Sequence, residues 1–235
     1  MHDFFKGMLR AFFPQRCAYC GRAVSINSYM CESCAENLSR ISGKICTLCG
    51  REKAECSCRG EKYFDSIVAP FYFEGVVRKG IHQFKFRKWY QHAEAYAIEM
   101  ADTLNKRMGD KTFDFIVSVP LTKKSQRKRG YNHGALLAKA LSEKIGIVYL
   151  GNLMIKIYET EDQHTTDYSN RRGNLAGVFD VTDPEFIKGK RILICDDIST
   201  TGETLNECAK MLWLYGAEEI CCVCIALTKY KKKKK

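Results

Sequence analysis

The densest chemistry in the sequence lies between Ile192 and Leu205, ILICDDISTTGETL. An apolar run stops at two adjacent carboxylates, Asp196 and Asp197. Small polar residues follow, Ser199, Thr200 and Thr201, and Gly202 opens a helical pattern that begins Glu203-Thr204. The first amides of a helix have no intrahelical partner, and the helix dipole favours an anion in front of them. Gly202 lets backbone approach such a ligand closely, and the threonine hydroxyls add donors. That is a phosphate cradle. The carboxylates would repel the phosphate itself; neutral hydroxyls or a divalent cation suit them. A ligand with a phosphate at one end and a diol one sugar away satisfies both halves, which describes a ribose 5-phosphate. An ordinary capped helix start needs one cap residue, not two aspartates and three threonines around a glycine.

The second chemical feature is a set of cysteines before residue 60. Cys17-x2-Cys20 is followed after ten residues by Cys31-x2-Cys34; Cys46-x2-Cys49 is followed after six by Cys56-x-Cys58. A two-residue gap turns both thiolates of a knuckle onto one metal, and two knuckles close a tetrahedron around zinc. Gly21 and Gly50, directly after Cys20 and Cys49, permit the tight turn. With every position filled by cysteine the zinc is structural, one or two ions, and its binding supplies the folding free energy of a segment too small to build a core. Whether the quartets bind separately or interleave is open at this point. Cys195, Cys208, Cys221, Cys222 and Cys224 lie in apolar patterns and read as small core residues.

These residues need a frame. The chain has 235 residues, 46% hydrophobic and 28% charged, a globular balance. It contains no apolar run of about 18 residues, so nothing is expected to span a bilayer. Met1 to Phe13 is interrupted by Asp3, Lys6 and Arg10 and reads as an amphipathic helix rather than a secretion signal. A cytoplasmic location follows as the expectation, and reduced thiols there favour metal over disulfides. After about residue 60 apolar runs alternate with amphipathic segments, with strand–helix alternation from about residue 113: Ser66–Phe73 as a strand, 91–108 as a helix, Phe113–Val119 as a strand, Asn132–Ile145 as a helix, 191–195 as a strand ending at the aspartates, 202–215 as a helix, and Ile220–Leu227 as a strand buried on both faces. The expected fold class is α/β, a parallel sheet flanked by helices. The expected domains are 1–62, a helix with the cysteine module; 63–230, the α/β unit; and 231–235, a disordered lysine tail.

The stretch around Asp196 and Asp197 resembles the phosphoribosyl pyrophosphate (PRPP) signature of type I phosphoribosyltransferases. Val119-Pro120-Leu121 with Arg127-Lys-Arg129-Gly-Tyr-Asn132 resembles the pyrophosphate-side segment of ComF proteins. Gln163, Arg171, Asn174 and Gly177-Val-Phe179 resemble that family's mobile-loop segment. With the cysteine module in front, the chain is similar to the ComF family over nearly its whole length. Ser199 stands where an aliphatic residue is common, His133 where Gln is, and Thr166 where Leu is. The resemblance implies a type I phosphoribosyltransferase-like domain behind a small zinc-ribbon-like one. It implies that Asp196 and Asp197 hold the ribose hydroxyls and that Ser199, Thr200, Thr201, Gly202, Glu203 and Thr204 hold the 5′-phosphate. Arg129 and Asn132 complete the PRPP site, and Mg²⁺ enters with the PRPP. It further implies a part in DNA uptake during natural transformation, contact with single-stranded DNA, and a competence helicase as partner.

Charge bears on the DNA reading. The formal charge is +11, five of it from Lys231 to Lys235. Two tetrathiolate zinc centres, about −2 each, would offset much of the remainder, so placement matters more than total. Lys85, Arg87 and Lys88 interleave with Phe84, Phe86, Trp89 and Tyr90, and Lys123 and Lys124 lie beside the presumed pyrophosphate segment. Cations among flat aromatic faces suit single-stranded nucleic acid; a solvated helix face over core aromatics gives the same pattern. The competing reading is an active transferase, amidophosphoribosyltransferase-like or a nucleobase salvage enzyme. Asp196, Asp197, Arg129 and Arg171 would then be catalytic and the acceptor undefined. A third is a pure interaction module with a degenerate nucleotide fold.

Overall fold

The computed structural model describes residues 15–25, 28–56, 58, 60–87, 89–121, 127, 130–157 and 178–230. The expected N-terminal helix, the lysine tail, and the expected site residues Lys88, Lys123, Lys124, Arg129 and Arg171 lie outside them, as do Gln163, Thr166 and Asn174.

A parallel sheet organises the chain. Its strands are β1 (Ser66–Val68), β2 (Phe71–Tyr72), β3 (Phe115–Ser118), β6 (Arg191–Ser199) and β7 (Glu219–Leu227). The order is β1-β7-β6-β3, with β2 continuing beside β7. Side chains of β6 and β7 alternate between two apolar clusters. Leu193, Cys195, Cys221 and Val223 face one, and Ile192, Ile194, Cys222 and Cys224 face the other. Covering both faces explains why these strands read as unbroken apolar runs. All five downstream cysteines are buried there, as expected.

Helices α2 (Gly75–Phe86), α3 (His92–Met108) and α4 (His133–Ile145) supply residues to the first cluster, and α5 (Glu203–Leu214) to the second. After α4 the chain runs beside the outer edge of β3, where Ile116 pairs with Tyr149 in parallel. After α5 it goes instead to β7. The winding direction therefore reverses between β3 and β6, and open α/β sheets bind ligands outside the strand ends at such a switch. A small antiparallel pair, β4 (Met154–Lys156) with β5 (Phe179–Val181), packs over the second cluster.

Two expectations change, and one helix is added. The first strand breaks at Ala69-Pro70, where proline lacks the ladder donor. The strand expected to stop at the aspartates runs through them to Ser199, because Asp196, Ile198 and Ser199 still pair with Cys224, Ala226 and Leu227. The segment 75–86 is a helix whose buried stripe is Val77, Gly80, Ile81 and Phe84; glycines at its first position and in its middle hid the periodicity.

The cysteine module, with its short helix α1 (Glu32–Glu36), shares the core of the sheet. Tyr19 is buried edge-on against Phe71 and Tyr96, and Tyr96 Oη donates to the Ala18 carbonyl at 2.9 Å. Buried Glu99 on α3 receives Arg40 through two hydrogen bonds, 2.8 and 3.1 Å. Contact is closest at Gly80. A Cβ there would stand 2.7 Å from the Ala18 carbonyl and 2.8 Å from Tyr19 Cα. Alanine ordinarily favours a helix interior over glycine by about 1 kcal/mol. Gly80→Ala should do the opposite and cost about 1–3 kcal/mol, since backbone must move. Urea unfolding of the zinc-loaded protein gives the sign; a stabilised variant would refute the close packing.

Candidate functional site

Strand β6 carries Asp196 and Asp197 to the carboxyl end of the sheet at the switch point. The chain then turns through Ser199, Thr200 and Thr201 to Gly202, whose φ of +82° suits glycine alone. Gly202 is the N-cap of α5 and no side chain caps it. The only side-chain contact to its first amides among the described residues is a long one, Glu203 N–H to Thr201 Oγ1 at 3.4 Å. Thr200, Thr201, Glu203 and Thr204 are exposed, whereas Ser199 is buried beneath the turn. An open, uncapped helix start of this kind can receive an anion.

The carboxylates are arranged differently from one another. Asp196 accepts the Asp197 amide at 2.8 Å. Burial, and then the charge of Asp197, push its carboxyl up to about 7. Asp197 pairs with Lys85 at 2.8 Å. Lys85 was expected on nucleic acid; in the structure it neutralises the acid pair. It is aimed there from the last turn of α2, whose end carbonyls are met by Tyr131 and by the first residue of α4. Tyr131 Oη donates to the Phe84 carbonyl at 2.7 Å, and His133 Nε2 lies 3.1 Å from the Lys85 carbonyl.

Asn132 caps α4. Its amide donates to the Val119 carbonyl at 2.9 Å and accepts from Ala135 N–H at 3.3 Å. This helix start lies close to the acids: a Cβ on Gly134 would be in ordinary contact with Asp196 Oδ1, at 3.7 Å. Arg87 is exposed, while Trp89 turns onto the cysteine module beside Gly21.

The eight expected ligand cysteines form two separate clusters, Cys17-Cys20-Cys31-Cys34 and Cys46-Cys49-Cys56-Cys58, each with its sulfurs within 4.8 Å of one another. The quartets do not interleave. Sulfurs bound at about 2.3 Å to one tetrahedral zinc stand about 3.8 Å apart. The separations are 3.7 Å for Cys20–Cys31, Cys46–Cys58 and Cys49–Cys56, and 3.4 Å for Cys56–Cys58. The residues fit zinc, and would hold it structurally. Burial raises the Cys17 thiol, but the surrounding amides outweigh it and bring it to about 7; Cys56 is held near the same value chiefly by the Cys58 amide.

The two knuckles repeat one another. Cys17 N–H donates to the Arg22 carbonyl and Gly21 N–H to the Cys17 carbonyl; Cys46 with Arg51, and Gly50 with Cys46, do the same. The sequence signal is CAYCGR matched by CTLCGR. Reading only the cysteines misses the arginines, which part company: Arg22 is exposed, and Arg51 is 2% exposed.

Comparison with known proteins agrees with this layout. The family model of the double zinc ribbon domain matches residues 8–63, and that of the phosphoribosyl transferase domain matches residues 131–235. Competence protein F of Haemophilus influenzae is 32% identical over 221 residues, covering 89% of this chain and 95% of that protein. Competence protein ComFC of Bacillus subtilis is 27% identical over 196 residues, 78% of this chain and 77% of its own. DNA utilization protein YhgH of Salmonella typhimurium is 28% identical over 216 residues, 90% of each. Among the described residues no helix is long and apolar enough to cross a membrane.

The raised carboxyl of Asp196 has a testable sign. Below about pH 4 the group is protonated folded or unfolded, and nothing is lost. As pH rises from about 4 toward 7 the unfolded chain ionises while the folded one resists, so stability falls, and the loss is complete above about 7. Asp196→Asn removes this penalty. Its melting temperature should exceed that of the parent chain at pH 8, by about 2–4 °C per kcal/mol relieved. The gap should close toward pH 5. Parallel melts at the two pH values check it; a constant gap would place the effect elsewhere.

Proposed function

The chain belongs to the family of competence protein F and ComFC, and from that premise we propose that it binds PRPP with Mg²⁺, binds single-stranded DNA, and acts in DNA uptake. The observation that carries the ligand half is the open, uncapped turn at Gly202 standing directly after two acids that Lys85 and Asp196's own raised protonation keep from repelling an anion. The exposed amides and hydroxyls of residues 200–204 bind the 5′-phosphate. Asp196 and Asp197 accept hydrogen bonds from the ribose diol, and Lys85 stays on Asp197, offsetting its charge beside the ligand's phosphates. Arg129 and Arg171 take the pyrophosphate side. Mg²⁺, when bound with PRPP, screens the diphosphate charge. The work of these residues is binding and orientation; no side chain here specifies an acceptor.

For DNA the supporting observation is the end of α2. Phe86 is 75% exposed and Tyr90 42% exposed, and His82 and Arg87 are also at the surface. Flat faces beside a cation form a sequence-tolerant platform for unstacked bases. Lys88, Lys123 and Lys124 add phosphate contacts. A competence helicase delivering or receiving the strand is the partner such a role requires.

Two measurements test this. Calorimetry with PRPP and Mg²⁺ should give saturable binding that Asp197→Asn weakens at least about tenfold, one lost charge-assisted bond being worth about 1.5–3 kcal/mol. Heat-free mixing with the parent chain would remove the ligand half. Anisotropy with a labelled single-stranded oligonucleotide should give salt-dependent binding. Phe86→Ala with Arg87→Ala should weaken it about tenfold or more, a stacked base contributing about 1–3 kcal/mol. Equal binding by that variant would move the strand to another face. Pyrophosphate release with a panel of amines and bases distinguishes turnover from binding alone.

A further inference from the structure

The buried Arg51 is not needed to fold a zinc knuckle, since Arg22 holds the same place in the first knuckle with its side chain in solvent. The Arg51 side chain instead leaves the module. Its Nη1 donates to the carbonyl of the ligand Cys49 at 3.1 Å, its Nε to the Thr228 carbonyl at 2.7 Å, and its Nη2 to the Thr200 carbonyl at 2.5 Å. The Tyr230 ring covers the guanidinium at 3.9 Å. Thr200 lies in the turn between β6 and α5, and Thr228 follows β7. Thr228 also ties to that turn, donating its amide to the Ser199 carbonyl at 3.1 Å and its hydroxyl to the Thr200 carbonyl at 3.4 Å. One guanidinium therefore joins a zinc ligand to the ends of both central strands. The knuckle that carries it is fixed in turn: Ile67 N–H donates to the Thr47 carbonyl at 2.9 Å, and a Cβ on Gly50 would meet the Ile67 carbonyl and Leu227 at 2.8 Å.

We infer that Arg51 is a positioning residue through which the second zinc centre sets the shape of the Thr200–Gly202 turn, so that this centre is part of the anion site's framework. A turn that must present free amides to an anion cannot spend them on its own stabilisation. Its carbonyls are the groups left to hold it, and Arg51 holds one from behind. The rigid, planar fork of arginine serves three carbonyls at once; a lysine ammonium on a flexible stem does not reproduce that geometry. Preorganising the donors in this way removes an ordering cost from ligand binding.

The test uses the full zinc-loaded chain and compares Arg51→Ala, Arg51→Lys and Arg22→Ala. All three should retain two zinc ions per chain by elemental analysis, which separates an effect on the turn from loss of the metal. Hydrogen exchange of the bonded amides that frame the turn, Thr228 N–H on the Ser199 carbonyl and Asn206 N–H on the Gly202 carbonyl, should speed up at least about tenfold in Arg51→Ala, less in Arg51→Lys, and not at all in Arg22→Ala. Exchange in α3 should stay the same, a split that general destabilisation would not produce. This arm needs no ligand. Unchanged exchange in a zinc-replete Arg51→Ala protein would overturn the inference. The second arm rests on the phosphate-site reading: PRPP with Mg²⁺ should bind Arg51→Ala at least about tenfold more weakly than the parent, with partial recovery in Arg51→Lys. A parent that does not bind PRPP sinks that reading and leaves the exchange result to decide Arg51. A parent and an Arg51→Ala protein that bind equally sink the inference and leave the reading intact.

Discussion

Two adjacent carboxylates at the end of a strand buried on both faces are an electrostatic constraint that the neighbouring elements are arranged to meet. Like charges this close, withdrawn from water, cannot both ionise freely. The fold answers twice. Asp196 resists ionisation, and Asp197 is given Lys85. Lys85 can serve only if the last turn of α2 stands where it does. That turn is pinned by Tyr131 and His133 on one side, and by Gly80 packing against the first knuckle on the other. The acid pair therefore depends on a helix, the helix on a knuckle, and the knuckle on its metal.

Seen this way, the cysteine module is a wall of the site rather than an appendage. It lacks apolar residues for a core of its own and borrows one. Tyr19 and Cys17 are buried with Phe71, Tyr96 and the sheet. Two bidentate or tridentate arginines complete the join, Arg40 on buried Glu99 and Arg51 on the strand-end carbonyls. Removing Arg40, itself half exposed, would leave the Glu99 carboxylate buried and uncompensated, which is far costlier than losing a surface pair. The metal's folding free energy is thus transmitted to the sheet by hydrogen bonds to charged groups, the stronger kind.

Much of this was legible in the sequence because its signals are local. Cysteine spacing marked the eight candidate ligands, while their division into two separate clusters had to come from the structure; the two apolar runs marked β6 and β7; Asp-Asp followed by a glycine-led helix marked the open turn. What was not legible depends on distant partners. Whether β6 ends at Asp196 is decided by β7, which continues the ladder to Leu227. Helix α2 begins and is interrupted by glycines, so its pattern reads poorly; Gly80 is there because the knuckle needs the room. The pair β4–β5 is three residues a side and has too little pattern to read. Lys85 and Trp89 carry no mark that sends one to Asp197 and the other to Gly21. Arg51 alone left a trace, as the unlike member of a matched CGR pair.

The geometry of α2 explains how one short basic-aromatic segment can face two tasks. Successive residues of a helix point about 100° apart. Lys85 turns inward to the acids while Phe86, the next residue, stands in solvent with His82 tilted against it at 5.5 Å. Phe84 goes to the core between Tyr96 and His133. Three consecutive residues thus point to the core, the acid pair and the solvent. A segment that reads as a uniform patch in sequence is partitioned by helical rotation, and its cations are not interchangeable. Lys85 is held by a carboxylate and is withdrawn from the surface charge, so any polyanion on this face meets Arg87 and the exposed rings first.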